Sequence, residues 1–249
     1  MGKYFSVTKK MPIAASKQHA AAFGAGDVLV DWQPIQIPKG SACLRSLTML
    51  VRPKGDATPT DNNFGCDIVF STTNTTSLGT VNSSVDHVPF PDIIGLIEIT
   101  TGHYGVNVFN STVIATTNHN GDNEAANIPI VLTGNPTSGD NVGFDTIYVG
   151  IVANGAFDFR SINAVNESDF AAGTQTAITM DGSGMDVREH FAAGDVLHAE
   201  DDAVLGTVAS IDAATTGPIN LTAANTDAID EDDIIYNLHP ITLILGFEK

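Results

Sequence analysis

The apolar residues of this chain come in short runs closed off by Gly, Pro, Asn or Asp. That pattern marks antiparallel strands joined by turns. Asp27–Trp32 and Ala42–Arg52 read as strands, Pro34–Gly40 between them alternates apolar and polar and then turns, and Pro53-Lys-Gly-Asp ends the last strand. Cys66–Phe70, Ile93–Thr100, Tyr104–Phe109, Thr112–Thr116 and Ile128–Leu132 follow, with a polar surface loop over 71–85 and a turn at Asn118–Asn123. Thr146–Ala153 is the clearest core strand, and Asn154-Gly155 offers a hairpin turn into Ala156–Arg160. The first 25 residues fit less well, because Ser16–Phe23 suits a turn or two of helix and an extended arm equally. Strands at this spacing, with turn signals between them, predict an all-β antiparallel sandwich or jelly roll.

A second unit stands out near the C-terminus. Phe191–His198, Val204–Ile211, Ile219–Thr222 and Asp230–Tyr236 are short β-branched runs bounded by Gly, Pro or Asp. They predict a small acidic β-barrel module over 175–237. The final run, His239–Phe247, reads as a buried strand with no partner inside a closed module. It is expected to return to the first sheet, which makes the module an insertion; two domains in tandem is the alternative. The expected division is a β-sandwich of residues 1–160 plus 238–249 with a basic N-terminal arm, a linker over 161–174, and the module.

Charge sharpens this picture. The net charge of −18 is unevenly spread. Residues 1–54 hold eight Lys/Arg against two acids, whereas 175–237 hold 13 acids and one Arg188. Such asymmetry suggests docking by the basic end, with Lys3, Lys9, Lys10, Lys17 and Lys39 as its candidate residues. So acidic a chain is a poor fit to nucleic acid, whose phosphates need a Lys/Arg excess. No run of 18 apolar residues suggests a membrane helix, and no secretory leader is visible. Cys43 and Cys66 sit in or beside apolar runs and are expected as buried free thiols, with a disulfide between them the alternative.

Candidate chemistry is sparse. The seven histidines show no H-x-x-H or H-E-x-x-H spacing. Asp230, Asp232 and Asp233 offer hard oxygen ligands for weak Ca²⁺ binding, but the D-x-D-x-D-G loop is missing and a solvated acidic turn is the plainer reading. No G-x-S-x-G elbow or phosphate loop is present. The expectation is a non-enzymatic protein without a cofactor.

The run Gly194-Asp-Val-Leu, Leu205–Ile211, Ile219–Ala224 and Asp232–Asn237 resembles a small β-barrel module of tailed-bacteriophage structural proteins. The start, Lys3–Lys10 with Ala25–Trp32, is similar to virion proteins of marine cyanophage myoviruses. The resemblance implies a virion protein assembled in the host cytoplasm, most simply a head decoration protein on the capsid exterior. Its partners would be the major capsid protein or other virion proteins, and further copies of itself, with a trimer the preferred guess. A neck or tail component, or a receptor- or glycan-binding fibre protein, is the alternative.

Overall fold

A computed structural model describes residues 3–51, 63–86, 92–104, 113–117, 130–134, 144–159, 167–180, 187–212 and 218–249. The strand expected at Tyr104–Phe109 lies outside these residues beyond Tyr104, as do the Asn118–Asn123 turn and Arg160.

Two antiparallel sheets face each other. The first contains β1 (Tyr4–Met11), β14 (Ile241–Glu248), β3 (Ser41–Val51) and β6 (Val113–Thr116) in that order, with β7 (Ile130–Thr133) also on β3. The second runs β2 (Val28–Pro38), β8 (Phe144–Ala153), β4 (Cys66–Ser71), β5 (Ile93–Ile99). β6 pairs with Thr48–Val51 and β7 with Ser41–Leu44, so the two fill successive halves of one edge position. Counted by position in chain order, the sheets therefore read 1-8-3-6 over 2-7-4-5. That order, with strands alternating between sheets, is the eight-position jelly roll.

Period-two burial builds its core. Ile241, Leu243, Leu245 and Phe247 of β14 face inward beside Leu44, Leu47, Met49 and Val51 of β3, and all are essentially inaccessible. They meet Ile35, Ile37, Ile68, Phe70, Ile97, Ile147, Val149 and Ile151 of the opposite sheet in one cluster. Phe23, Phe64, Phe157 and Phe159 close one end, with Phe157 and Phe159 edge to face at 4.6 Å. Ala156–Phe159 is accordingly no strand. Phe157 makes a single bridge to Phe23 instead.

Four further features depart from the sequence reading. β1 is a full edge strand, hidden in sequence because Lys9 occupies an inward position between Val7 and Met11. β2 runs unbroken through Pro34, which an edge strand with register shifts tolerates. Residues 71–85 are not simply a surface loop. Leu78 is buried with Val28, Trp32, Val69 and Val152 on the outer face of the second sheet. The Trp32 indole donates to the Thr76 carbonyl at 2.9 Å, and Asp31 accepts from the Leu78 amide at 2.7 Å. Gly150 permits this strap, since a Cβ there would lie 2.7 Å from the Leu78 side chain. Finally, residues 167–174 belong to the smaller unit and not to a linker: Phe170 bridges Ile229 and packs on that unit's core.

The smaller unit contains β9 (Ala177–Ile178), the short helix α2 (Val187–His190), β10 (Val196–His198), β11 (Val204–Ile211), β12 (Ile219–Leu221) and β13 (Tyr236–Asn237). Its strands form one antiparallel sheet ordered β13-β10-β11-β12-β9, a half-barrel. Ile178, Met180, Val187, Phe191, Leu197, Leu205, Val208, Ile219, Ile229 and Ile235 give it a hydrophobic core of its own. It occupies the connection between β8 and β14, the seventh and eighth positions of the jelly roll.

Candidate functional site

The helix α1 (Ala15–Ala20) is the joint between the two units. Its N-cap position is Ala14, which has no side chain able to satisfy the first free amides. Asp202, at the β10–β11 turn, supplies the missing acceptor: Ser16 N donates to Oδ1 at 3.0 Å and the Ser16 hydroxyl donates to Oδ2. Burial opposes the charged carboxylate, but these bonds, the Ala15 amide and nearby His198 outweigh it and hold Asp202 below the ordinary Asp value. One turn on, His19 Nε2 lies 3.1 Å from Glu200 and Nδ1 lies 2.9 Å from the Tyr236 hydroxyl. The buried Gln18 amide donates to the carbonyls of Ile13 and Asn237 at 2.7 and 3.0 Å. Lys10, at the end of β1, reaches Asp195 at 3.9 Å.

The five candidate lysines therefore do not share one docking face. Lys10 meets the module. Lys17 lies on α1, which is docked against the module. Lys9 is inward and half-buried, and burial lowers its pKa. Of the five, Lys3 and Lys39 are the two exposed away from the module, and they sit at the opposite end of the first sheet. There the Lys3 and Lys249 backbones pair at 3.0 and 2.9 Å, and the Lys249 ammonium donates to the Lys39 carbonyl at 2.7 Å.

That end carries a feature the sequence reading missed. The cross-strand register Tyr4↔Glu248↔Cys43↔Val131 places these four side chains in one row on the outward face. Tyr4 is 75% exposed and Val131 64% exposed. The Glu248 carboxylate holds both neighbours: Arg45 Nη2 at 2.6 Å and the Tyr4 hydroxyl at 3.1 Å. The Arg45 bond, then the Tyr4 bond, lowers the Glu248 pKa, and Glu248 in turn raises that of Tyr4. A tyrosine and an arginine, oriented in advance on a rigid sheet, have the composition of an interface anchor.

Carboxylates gather on the module. A cleft of about 240 Å³ is lined by Ala199, Glu200, Asp201, Asp227, Ala228 and Asp233. Of the three Ca²⁺ candidates, Asp233 lines it but spends Oδ2 on the Asp230 amide at 3.0 Å, while Asp230 and Asp232 do not line it. Among the described residues, no group of three or more His, Cys, Asp or Glu is placed to hold a metal ion. The cysteines are free. Cys43 points outward from the first sheet, whereas Cys66 is buried in the second, 3.8 Å from the Met49 sulfur.

The arrangement as a whole is an all-β jelly roll that carries an inserted acidic half-barrel. No family model matches the chain, and no curated protein matches it. Among solved structures, a chain described as "Structure of infectious bursal disease virus Gt strain" aligns at 8% identity and a TM-score of 0.13, over 99% of this chain and 42% of that one. A likeness at that score carries no argument about fold or function.

Proposed function

We propose that this protein is a non-enzymatic structural component of a tailed-phage virion, decorating the head exterior and projecting its acidic module. The observation that carries this reading is the combination of a jelly roll with a built-on unit fastened at one end through α1. The jelly roll recurs in viral capsid subunits, and lectins share it. The resemblance of the module to phage structural proteins favours the first use. The separation of the lysines removes the single basic arm from the proposal, so the surface that meets the shell is not assigned to Lys9, Lys10 or Lys17.

Copy number per particle tests the reading, by quantitative mass spectrometry of purified virions. Hundreds of copies, in fixed ratio to the shell protein, support head decoration. A dozen or fewer move the protein to the neck, tail or fibres. Absence from the particle overturns the virion reading.

A further inference from the structure

We propose that the Tyr4–Arg45 end of one copy docks into the acidic cleft of a second copy, joining the chains head to tail. The first observation is the preorganised row on the first sheet. Tyr4 and Arg45 both bond to Glu248, so each enters an interface with little rotamer freedom left to lose. Val131 adds exposed apolar area in the same row, and Lys3 and Lys39 flank it.

The second observation is a complementary surface on the same molecule. Glu200, Asp201, Asp227 and Asp233 line a concave site in the module. Exposed Asp169 and Glu231 lie close to each other nearby, the Glu231 amide donating to Asp169 at 2.6 Å. A partly aromatic row flanked by Lys3 and Lys39 and a cleft lined by four carboxylates are complementary in charge.

The third observation is their placement. β1 begins at Tyr4 and ends at Met11, beside the module contact of Lys10. Six strand steps, about 20 Å, separate Tyr4 from Lys10 along β1. The row lies at one end of β1 and the module at the other, so within one chain the two surfaces face apart and are open to a second copy. The resulting contact is heterologous: it closes into a ring or continues as a file, according to the rotation it imposes. This inference does not rest on the virion reading. If both hold, neighbouring copies and not the shell occupy Lys3 and Lys39.

Two variants test it by sedimentation velocity. One carries Lys3→Glu with Lys39→Glu and leaves the cleft intact. The other carries Asp201→Asn with Asp227→Asn, which keeps the short turn bonds of both carboxylates and leaves the basic row intact. The native chain is expected to associate, with affinity falling about tenfold or more between roughly 20 mM and 0.5 M salt. Each variant alone is expected to stay monomeric, and an equimolar mixture is expected to stop at a dimer, since each supplies one working surface. A native chain that is monomeric at every salt concentration overturns the proposal. So does association that persists in both separate variants, or a mixture that fails to pair while circular dichroism shows both variants folded.

Discussion

Asp202 caps the helix that contains Ser16 from 186 residues away, its Oδ1 accepting the Ser16 amide at 3.0 Å. The inserted module therefore completes an element of the jelly roll, and α1 in return holds the module through His19 and Gln18. Asn82 of the strap donates to the Ala21 carbonyl at the other end of the helix, at 2.9 Å. A six-residue helix is marginal by itself, so both ends depend on partners distant in sequence.

Asp202→Ala is expected to cost about 1 kcal/mol, within the usual range of about 0.5–2 for a lost N-cap. Asp202→Asn, which keeps an acceptor, should cost less. Chemical denaturation measures the loss, and hydrogen exchange should show the amides of Ala15 and Ser16 opening first. Unchanged exchange there would refute the capping role.

The same carboxylate sets a pH dependence. Its folded pKa lies below the unfolded value of 3.8. Its contribution is therefore complete above that value and disappears as pH falls through the folded pKa. Thermal melts of the native chain should lose stability more steeply below about pH 4 than those of Asp202→Asn. Parallel curves would assign the acid sensitivity to other carboxylates.

Asp67 carries the opposite sign. Burial, then the charge of Glu98 directly across the β4–β5 pair, raises its pKa. The ionised form is disfavoured in the fold, so this position costs stability at neutral pH and relaxes on acidification. Asp67→Asn should stabilise the protein at pH 7 by a few tenths, up to about 1 kcal/mol, with the gain shrinking towards pH 4. A destabilised Asp67→Asn protein at pH 7 would contradict this account.

Thiol labelling should divide the two cysteines. Cys66 is fully buried, and that burial pushes its pKa well up, so it remains protonated and shielded. Iodoacetamide on the folded protein should modify Cys43 alone, with Cys66 reacting only after unfolding. Mass spectrometry of the labelled peptides reads the result directly, and native labelling of Cys66 would show that the β4 core opens.

Core truncations should separate the two units. Leu245→Ala in β14 removes a side chain from the centre of the jelly roll and should cost about 2–5 kcal/mol. Leu205→Ala lies in the module's own cluster. It should loosen module amides in hydrogen exchange while those of β3 and β14 keep their protection. Loss of protection in both units would mean that they unfold as one.

Alternation and turn chemistry made the all-β class legible from the sequence, because a strand buried on one face writes period two into its residues, as Ile241–Phe247 does. β1 escaped because Lys9 interrupts that period: its long stem lies half-buried while the surrounding sheet supplies the order. The strap over Trp32 escaped because its polar residues bond backwards to Asp31, and its apolar anchors, Leu78 and Val81, make no period. Charge asymmetry was visible, but the face on which each lysine falls was not. Strand register sends Lys10 to the module and pairing with Lys249 keeps Lys3 at the far end. The sequence by itself determined the all-β class, an acidic second unit and the absence of familiar catalytic spacing. Only the tertiary structure decided the jelly-roll order, the Asp202 cap on α1 and the Tyr4–Glu248–Cys43–Val131 row. Each of these joins residues far apart in the chain, and local propensity holds no information about which distant strands will pair.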